Sequence, residues 1–147
     1  MNEENEVTEL LSTYYESWFK INQIYRIWSK KHGIQDTVLF ILYVIEVSPC
    51  CSQNEICDKL CLPKQTVSLI LSRLEKKGYI SRKLDSEDRR NKVVSFTEQG
   101  SKYARGILEQ LKASEIEALS NMSKEQRRTM VESFCLLSDL LAKSLSK

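Results

Sequence analysis

The sequence predicts a mostly α fold: a winged helix-turn-helix with a two-stranded β-wing, flanked by N- and C-terminal dimerisation helices. Three observations predict it. Apolar residues recur at spacings of three and four through most of the 147 residues, and only four Gly and two Pro interrupt them, so helix should dominate. Two short helical segments, 53–60 and 63–77, are separated by about three residues, the spacing of a helix-turn-helix. Two β-type runs after them enclose a charged loop, which reads as a hairpin.

The first helix follows from Val7, Leu10, Leu11, Tyr14, Trp18, Ile21, Tyr25 and Trp28. Glu3, Glu4, Glu6 and Glu9 open it, Lys30-Lys31 end it, and Gly33 stops it, an order that suits the helix dipole. A helix of roughly 25 residues exceeds the usual globular length and needs a partner along it, a second subunit being one candidate. Residues 37–47 are apolar nearly all round, and their length favours a buried helix over a buried strand. Ser48-Pro49 ends that segment. Ser52-Gln53-Asn54-Glu55 is a capping box that opens the helix Gln53–Leu60.

Pro63 starts the next helix, whose apolar stripe is Val67, Ile70, Leu71 and Leu74, and Lys76-Lys77-Gly78 closes it. Tyr79–Leu84 and Val93–Phe96 read as the strands, with Ile80, Leu84, Val94 and Phe96 as candidate inward positions. Thr97 caps a further helix carrying Ile107, Leu108, Leu111, Ile116 and Leu119. Ser123-Lys124-Glu125-Gln126 is a second capping box. It opens a last helix with Met130, Val131, Phe134, Leu137, Leu140, Leu141 and Leu145. The reading is a single domain over 1–147, with a DNA-binding core at about 35–97 and dimerisation helices at about 6–32 and 98–146.

The net charge of +2 hides an asymmetry. Residues 1–58 hold four Lys/Arg against nine Asp/Glu, whereas residues 59–92 hold ten against four, a local charge of +6. Such a segment is either a phosphate-binding surface or a solvated face. The helix 63–77 supports the first reading. Its N-terminal polar residues, Lys64, Gln65, Thr66 and Ser68, are of the types that meet base edges in a major groove. Arg73, Lys76 and Lys77 follow, suited to phosphate. In the loop 85–91, Asp88, Arg89 and Arg90 put two guanidiniums at a hairpin tip. Arginine on a narrow protrusion suits a minor groove, with Asp88 or Asp85 holding one guanidinium in place.

The run Leu74-Glu75-Lys76-Lys77-Gly78-Tyr79-Ile80, then Arg82, Asp85, Asp88-Arg89-Arg90 and Thr97-Glu98-Gln99-Gly100, resembles the MarR/SlyA family of regulators over roughly residues 6–146. The resemblance implies a homodimer with interlocking terminal helices. It also implies a major-groove helix carrying Lys64, Gln65, Thr66 and Ser68, and Arg89 or Arg90 in the minor groove. Many members lose DNA affinity in response to small aromatic acids, oxidants or metals. Cys61 before Leu62-Pro63, and the pair Cys50-Cys51, depart from the pattern.

The expected function is sequence-specific binding of double-stranded DNA by a repressor-type homodimer reading a pseudo-palindromic site. Two alternatives stand beside it: a thiol-based redox-sensing regulator using Cys50, Cys51, Cys57 or Cys61, and a winged-helix protein-interaction module. Cys57 and Cys135 look like core positions. A single His, His32, and no Cys-x2-Cys pattern speak against a metal site, and no cofactor is expected. Tyr14, Trp18 and Tyr25 are candidates for an effector pocket taking a small molecule, or for interface core. With no Gly-rich phosphate loop and one His, no enzyme constellation is visible. The acidic start and the lack of a long apolar run predict a cytoplasmic chain without a membrane partner.

Overall fold

A computed structural model describes residues 2–85, 87 and 92–147. The elements are, in order, α1 (Glu3–Lys31), α2 (Asp36–Val47), β1 (Cys51–Ser52), α3 (Gln53–Leu60), α4 (Lys64–Lys76), β2 (Ile80–Leu84), β3 (Lys92–Phe96), α5 (Glu98–Ser120) and α6 (Lys124–Leu145). The chain divides into two compact units, residues 1–108 and 109–147.

Both capping boxes form. The Ser52 hydroxyl accepts from the Glu55 N–H at 3.0 Å, and the Glu55 carboxylate accepts from the Ser52 N–H at 3.0 Å. Ser123 and Gln126 do the same at the start of α6. Each satisfies two backbone donors that a helix start leaves open. Pro63 is the N-cap of α4 rather than its first helical residue.

Three helices in the first unit end alike. The Ile34 N–H donates to Ser29 O, the Leu62 N–H to Cys57 O and the Tyr79 N–H to Leu74 O. Each closure turns on one left-handed residue: Gly33 (φ 75°), Cys61 (φ 52°) and Gly78 (φ 79°). Glycine meets that geometry without strain. Cys61 does not, and it shortens the link between α3 and α4 to three residues.

The wing hairpin pairs β2 with β3 antiparallel, from Ile80 opposite Phe96 to Leu84 opposite Lys92. A third strand, unforeseen from the sequence, joins its other side: Cys51 pairs with Val94 and Ser52 with Val93. Two residues carry no legible alternation, so periodicity could not reveal β1. Ile80 and Val94 are buried, but Leu84 is 60% exposed, out along the hairpin beyond the core. It is therefore not an inward position.

The core of the first unit gathers Ile41, Leu42, Val44 and Ile45 of α2, Ile56 and Cys57 of α3, and Val67, Ile70, Leu71 and Leu74 of α4. Cys51, Ile80 and Val94 of the sheet and Ala104 of α5 complete it. Residues 36–47 are a buried helix, as their length predicts. In the second unit α6 buries none of its residues, and Cys135 is exposed. Cys135 is thus no core residue: it lies on a helix whose apolar stripe stands in solvent. Among the described residues no helix is long and apolar enough to cross a membrane.

Candidate nucleic-acid interface

The helix α4 has two unlike sides. Val67, Ile70, Leu71 and Leu74 are buried. At about 100° per residue the opposite side is centred on Gln65, Leu69, Ser72 and Lys76. A shallow groove runs there, lined by Gln53 of α3 and by Lys64, Gln65, Ser68, Leu69 and Ser72. Three of the four expected base-reading residues therefore stand together. Thr66 does not line this groove; it is half-buried on the flank of the helix. Gln53, Leu69 and Ser72 are additions. Leu69 was hidden in the run Leu69-Ile70-Leu71, although three successive residues of a helix cannot all face one core.

The expected phosphate residues divide between two faces. Lys76 is exposed near the centre of the outer side. Arg73 and Lys77 instead border a second concavity with Gly33, Ile34, Gln35, Val38, Ile70, Leu74 and Tyr103. All three cations are exposed, which phosphate contact requires.

A residue named only for its place in the motif, Arg82 on β2, fastens the wing to the helix-turn-helix. Its guanidinium donates to Glu75 through Nη2 at 3.2 Å and Nε at 3.5 Å. It also donates to Ser72 Oγ at 3.1 Å and Gln53 Oε1 at 3.5 Å. The Arg82 N–H donates to the same Glu75 carboxylate at 3.2 Å. The Arg82 side chain is only 11% exposed. One guanidinium thus joins α3, α4 and β2, and its forked donors suit that task better than an ammonium would. The hydrogen bond from Arg82 holds the Glu75 carboxyl below its usual range.

The base of the wing is tied down by the Thr-Glu-x-Gly motif. The Thr97 hydroxyl accepts from the Gly100 N–H at 3.0 Å and donates to Gly78 O, while the Thr97 N–H donates to Tyr79 O at 3.0 Å. A Cβ at Gly100 would overlap the Tyr79 carbonyl. The rings of Tyr79 and Tyr103 stack at 4.2 Å with planes 5° apart. The start of α5 therefore packs directly on the turn that leads from α4 into the wing.

Of the other expected residues, Asp88, Arg89 and Arg90 lie outside the described residues. Tyr14, Tyr15 and Trp18 form an aromatic cluster along α1, with centroids 5.4–6.2 Å apart, and Trp18 is 48% exposed. Tyr25 packs instead on Phe40 of α2 at 5.6 Å. Cys51 and Cys57 are buried, and burial pushes both thiols up, which disfavours the reactive thiolate. Cys50 and Cys61 are exposed. Among the described residues no His/Cys/Asp/Glu group could hold a metal ion.

Residues 34–92, which span α2 through the wing, match the model of the MarR family. The HTH-type transcriptional regulator SarZ of Staphylococcus epidermidis is 27% identical over 124 residues, covering 84% of this chain and 82% of its own. A MarR family regulator from Neisseria meningitidis superimposes with a TM-score of 0.75 at 22% identity, over 99% of this chain and 98% of its own. The PcaV transcriptional regulator of Streptomyces coelicolor, solved in complex with its natural ligand, gives 0.67 at 15% identity, over 82% and 87%. The two structures share the fold. Residues 34–92 thus match the MarR family, and the relative and the solved structures that the chain resembles over most of its length are transcriptional regulators.

Proposed function

We propose that the protein is a homodimeric, repressor-type regulator that reads a pseudo-palindromic duplex, with α4 in the major groove and the loop 85–91 in the minor groove. The outer groove of α4 carries this reading. Lys64, Gln65 and Ser68 stand on one accessible surface, and each offers hydrogen-bonding groups that base edges accept or supply. Lys76 adds positive charge on that side of α4, and Arg73 and Lys77 are exposed on its adjoining flank, suited to holding the duplex by its phosphates. Arg82 ties β2 of the wing to α4 through Glu75 and Ser72 and to α3 through Gln53, which favours a wing that acts together with the reading helix.

The dimer is supported by the terminal helices. Val7, Leu11, Phe19 and Ile24 of α1 are exposed, as are Met130, Phe134, Leu136 and Leu140 of α6. Apolar surface of that extent marks an interaction site. A two-fold dimer places half-sites about one helical turn apart, roughly 10 bp. For a small-molecule effector, the aromatic face of α1 with Tyr14 and Trp18, and Tyr25 on Phe40, is the proposed place. PcaV, solved in complex with its natural ligand, is the precedent for ligand binding within this fold.

Selection of bound duplexes from a random pool, followed by titration of the recovered duplex, tests the reading. The expected result is two inverted half-sites about 10 bp apart. Arg89→Ala and Arg90→Ala should each weaken binding. Gln65→Ala should alter base preference more than non-specific affinity. Recovery of no preferred duplex, or no effect of all three substitutions, would overturn it.

A further inference from the structure

We infer that Leu69 is a specificity-determining residue, and that it recognises the 5-methyl group of a thymine. The inference rests on the reading that α4 enters the major groove. Leu69 is 53% exposed, while Val67, Ile70, Leu71 and Leu74 of the same helix are buried. It stands about 30° from the centre of the outer side, with Gln65 one turn before it and Ser72 one turn after. Its companions in the groove, Gln53, Lys64, Gln65, Ser68 and Ser72, are all polar. Leu69 is thus an isolated apolar contact inside a polar reading surface, not an overflow of the core.

The chemistry of the major groove narrows the occupant. Its base edges present donors and acceptors, with one apolar feature, the thymine methyl. Polar groups that lose water on docking must find partners, whereas Leu69 gains only if an apolar group meets it. The surroundings are held firmly enough to fix that position. Ser72 and Gln53 are both bonded to Arg82, so the groove is braced along one side. Leu69 therefore discriminates T·A from the other pairs at one position in each half-site, beside the bases that Lys64, Gln65 and Ser68 address.

The test uses the full-length protein and the duplex recovered by selection. Each thymine is replaced in turn by uracil, which removes the methyl and leaves the hydrogen-bonding edge unchanged. With the wild type, one symmetry-related thymine position should lose about fourfold in affinity per half-site, the value of one buried methyl. Leu69→Ala should bind the thymine duplex more weakly and no longer distinguish thymine from uracil there. Its far-UV circular dichroism and thermal midpoint should match the wild type, since the side chain is exposed. The inference is overturned if no thymine occurs in the preferred half-site, if the wild type ignores every methyl, or if Leu69→Ala keeps the full discrimination. Gln65→Ala separates the two levels of the argument. If it shifts base preference while Leu69→Ala behaves as the wild type, only the role of Leu69 falls. If neither substitution changes preference, the placement of α4 in the major groove falls with it.

Discussion

Gly100 shows how one residue can set the junction of two elements. The start of α5 lies so close to the turn after α4 that a side chain at Gly100 would overlap the Tyr79 carbonyl. Backbone gives way less readily than a flexible side chain, so Gly100→Ala should cost about 3 kcal/mol, read as a fall in the urea midpoint. Cys61 is the opposite case. Gly33 and Gly78 end their helices in the left-handed region, and Cys61 ends α3 there with a Cβ. Strain of that kind costs about 1 kcal/mol or more in a non-glycine residue. Cys61→Gly should therefore raise stability by up to about 1 kcal/mol, and an unchanged or lower denaturation midpoint would refute the strain. Glu75 adds a pH dependence. Arg82 lowers the folded-state value of its carboxyl, so the unfolded chain takes up that proton first as acid is added. The contribution is complete above the ordinary glutamate range and is lost as pH falls through the lowered value. Glu75→Gln should flatten that part of the stability profile in acid titrations, with a small effect at neutral pH because Glu75 is partly exposed.

At the scale of elements, Arg82 bridges the helix-turn-helix and the wing by directed side-chain bonds. Hydrophobic contacts bury Ile80 and Val94 in the core, but these are non-directional. Arg82 supplies direction, with bonds to Ser72, Glu75 and Gln53. Arg82→Lys keeps the charge and loses the fork. It should weaken DNA binding by about tenfold, the equivalent of roughly 1.4 kcal/mol, while leaving the thermal midpoint within a few degrees. Equal affinity in a duplex titration would show that the wing needs no such brace. The third strand belongs at this scale too. Ser52 ends β1 and caps α3, so one residue couples the sheet to the helix-turn-helix.

At the scale of the molecule, charge and apolar surface concentrate in different segments of the chain. The positive excess lies in residues 59–92, whereas exposed apolar side chains crowd α1 and α6. Affinity for the selected duplex should fall at least about a thousandfold between 50 and 200 mM salt, as counterion release by several phosphate contacts requires. Phe134 is 65% exposed on α6. Phe134→Glu should shift sedimentation from dimer to monomer and reduce affinity for the two-half-site duplex far more than for a single half-site. A wild type that sediments as a monomer at micromolar concentration would remove the dimer from the reading.

Local rules made much of this protein legible without coordinates. The capping boxes at Ser52 and Ser123 and the glycine stops at Gly33 and Gly78 depend on neighbours within a few residues. The buried stripe of α4 depends on helical periodicity. The motif from Leu74 to Gly100 was enough to point to the family. What the tertiary structure decided depends on residues far apart in the chain. Cys51 pairs with Val94, Arg82 reaches back to Gln53, and Gly100 meets Tyr79. A two-residue strand has no period to read, and an arginine gives no hint in sequence of which distant oxygens it will join. Leu69 marks the boundary between the two. The sequence showed an apolar run, and only the packing of its neighbours against the core left this one leucine on the outer groove, because a helix turns about 100° at each residue.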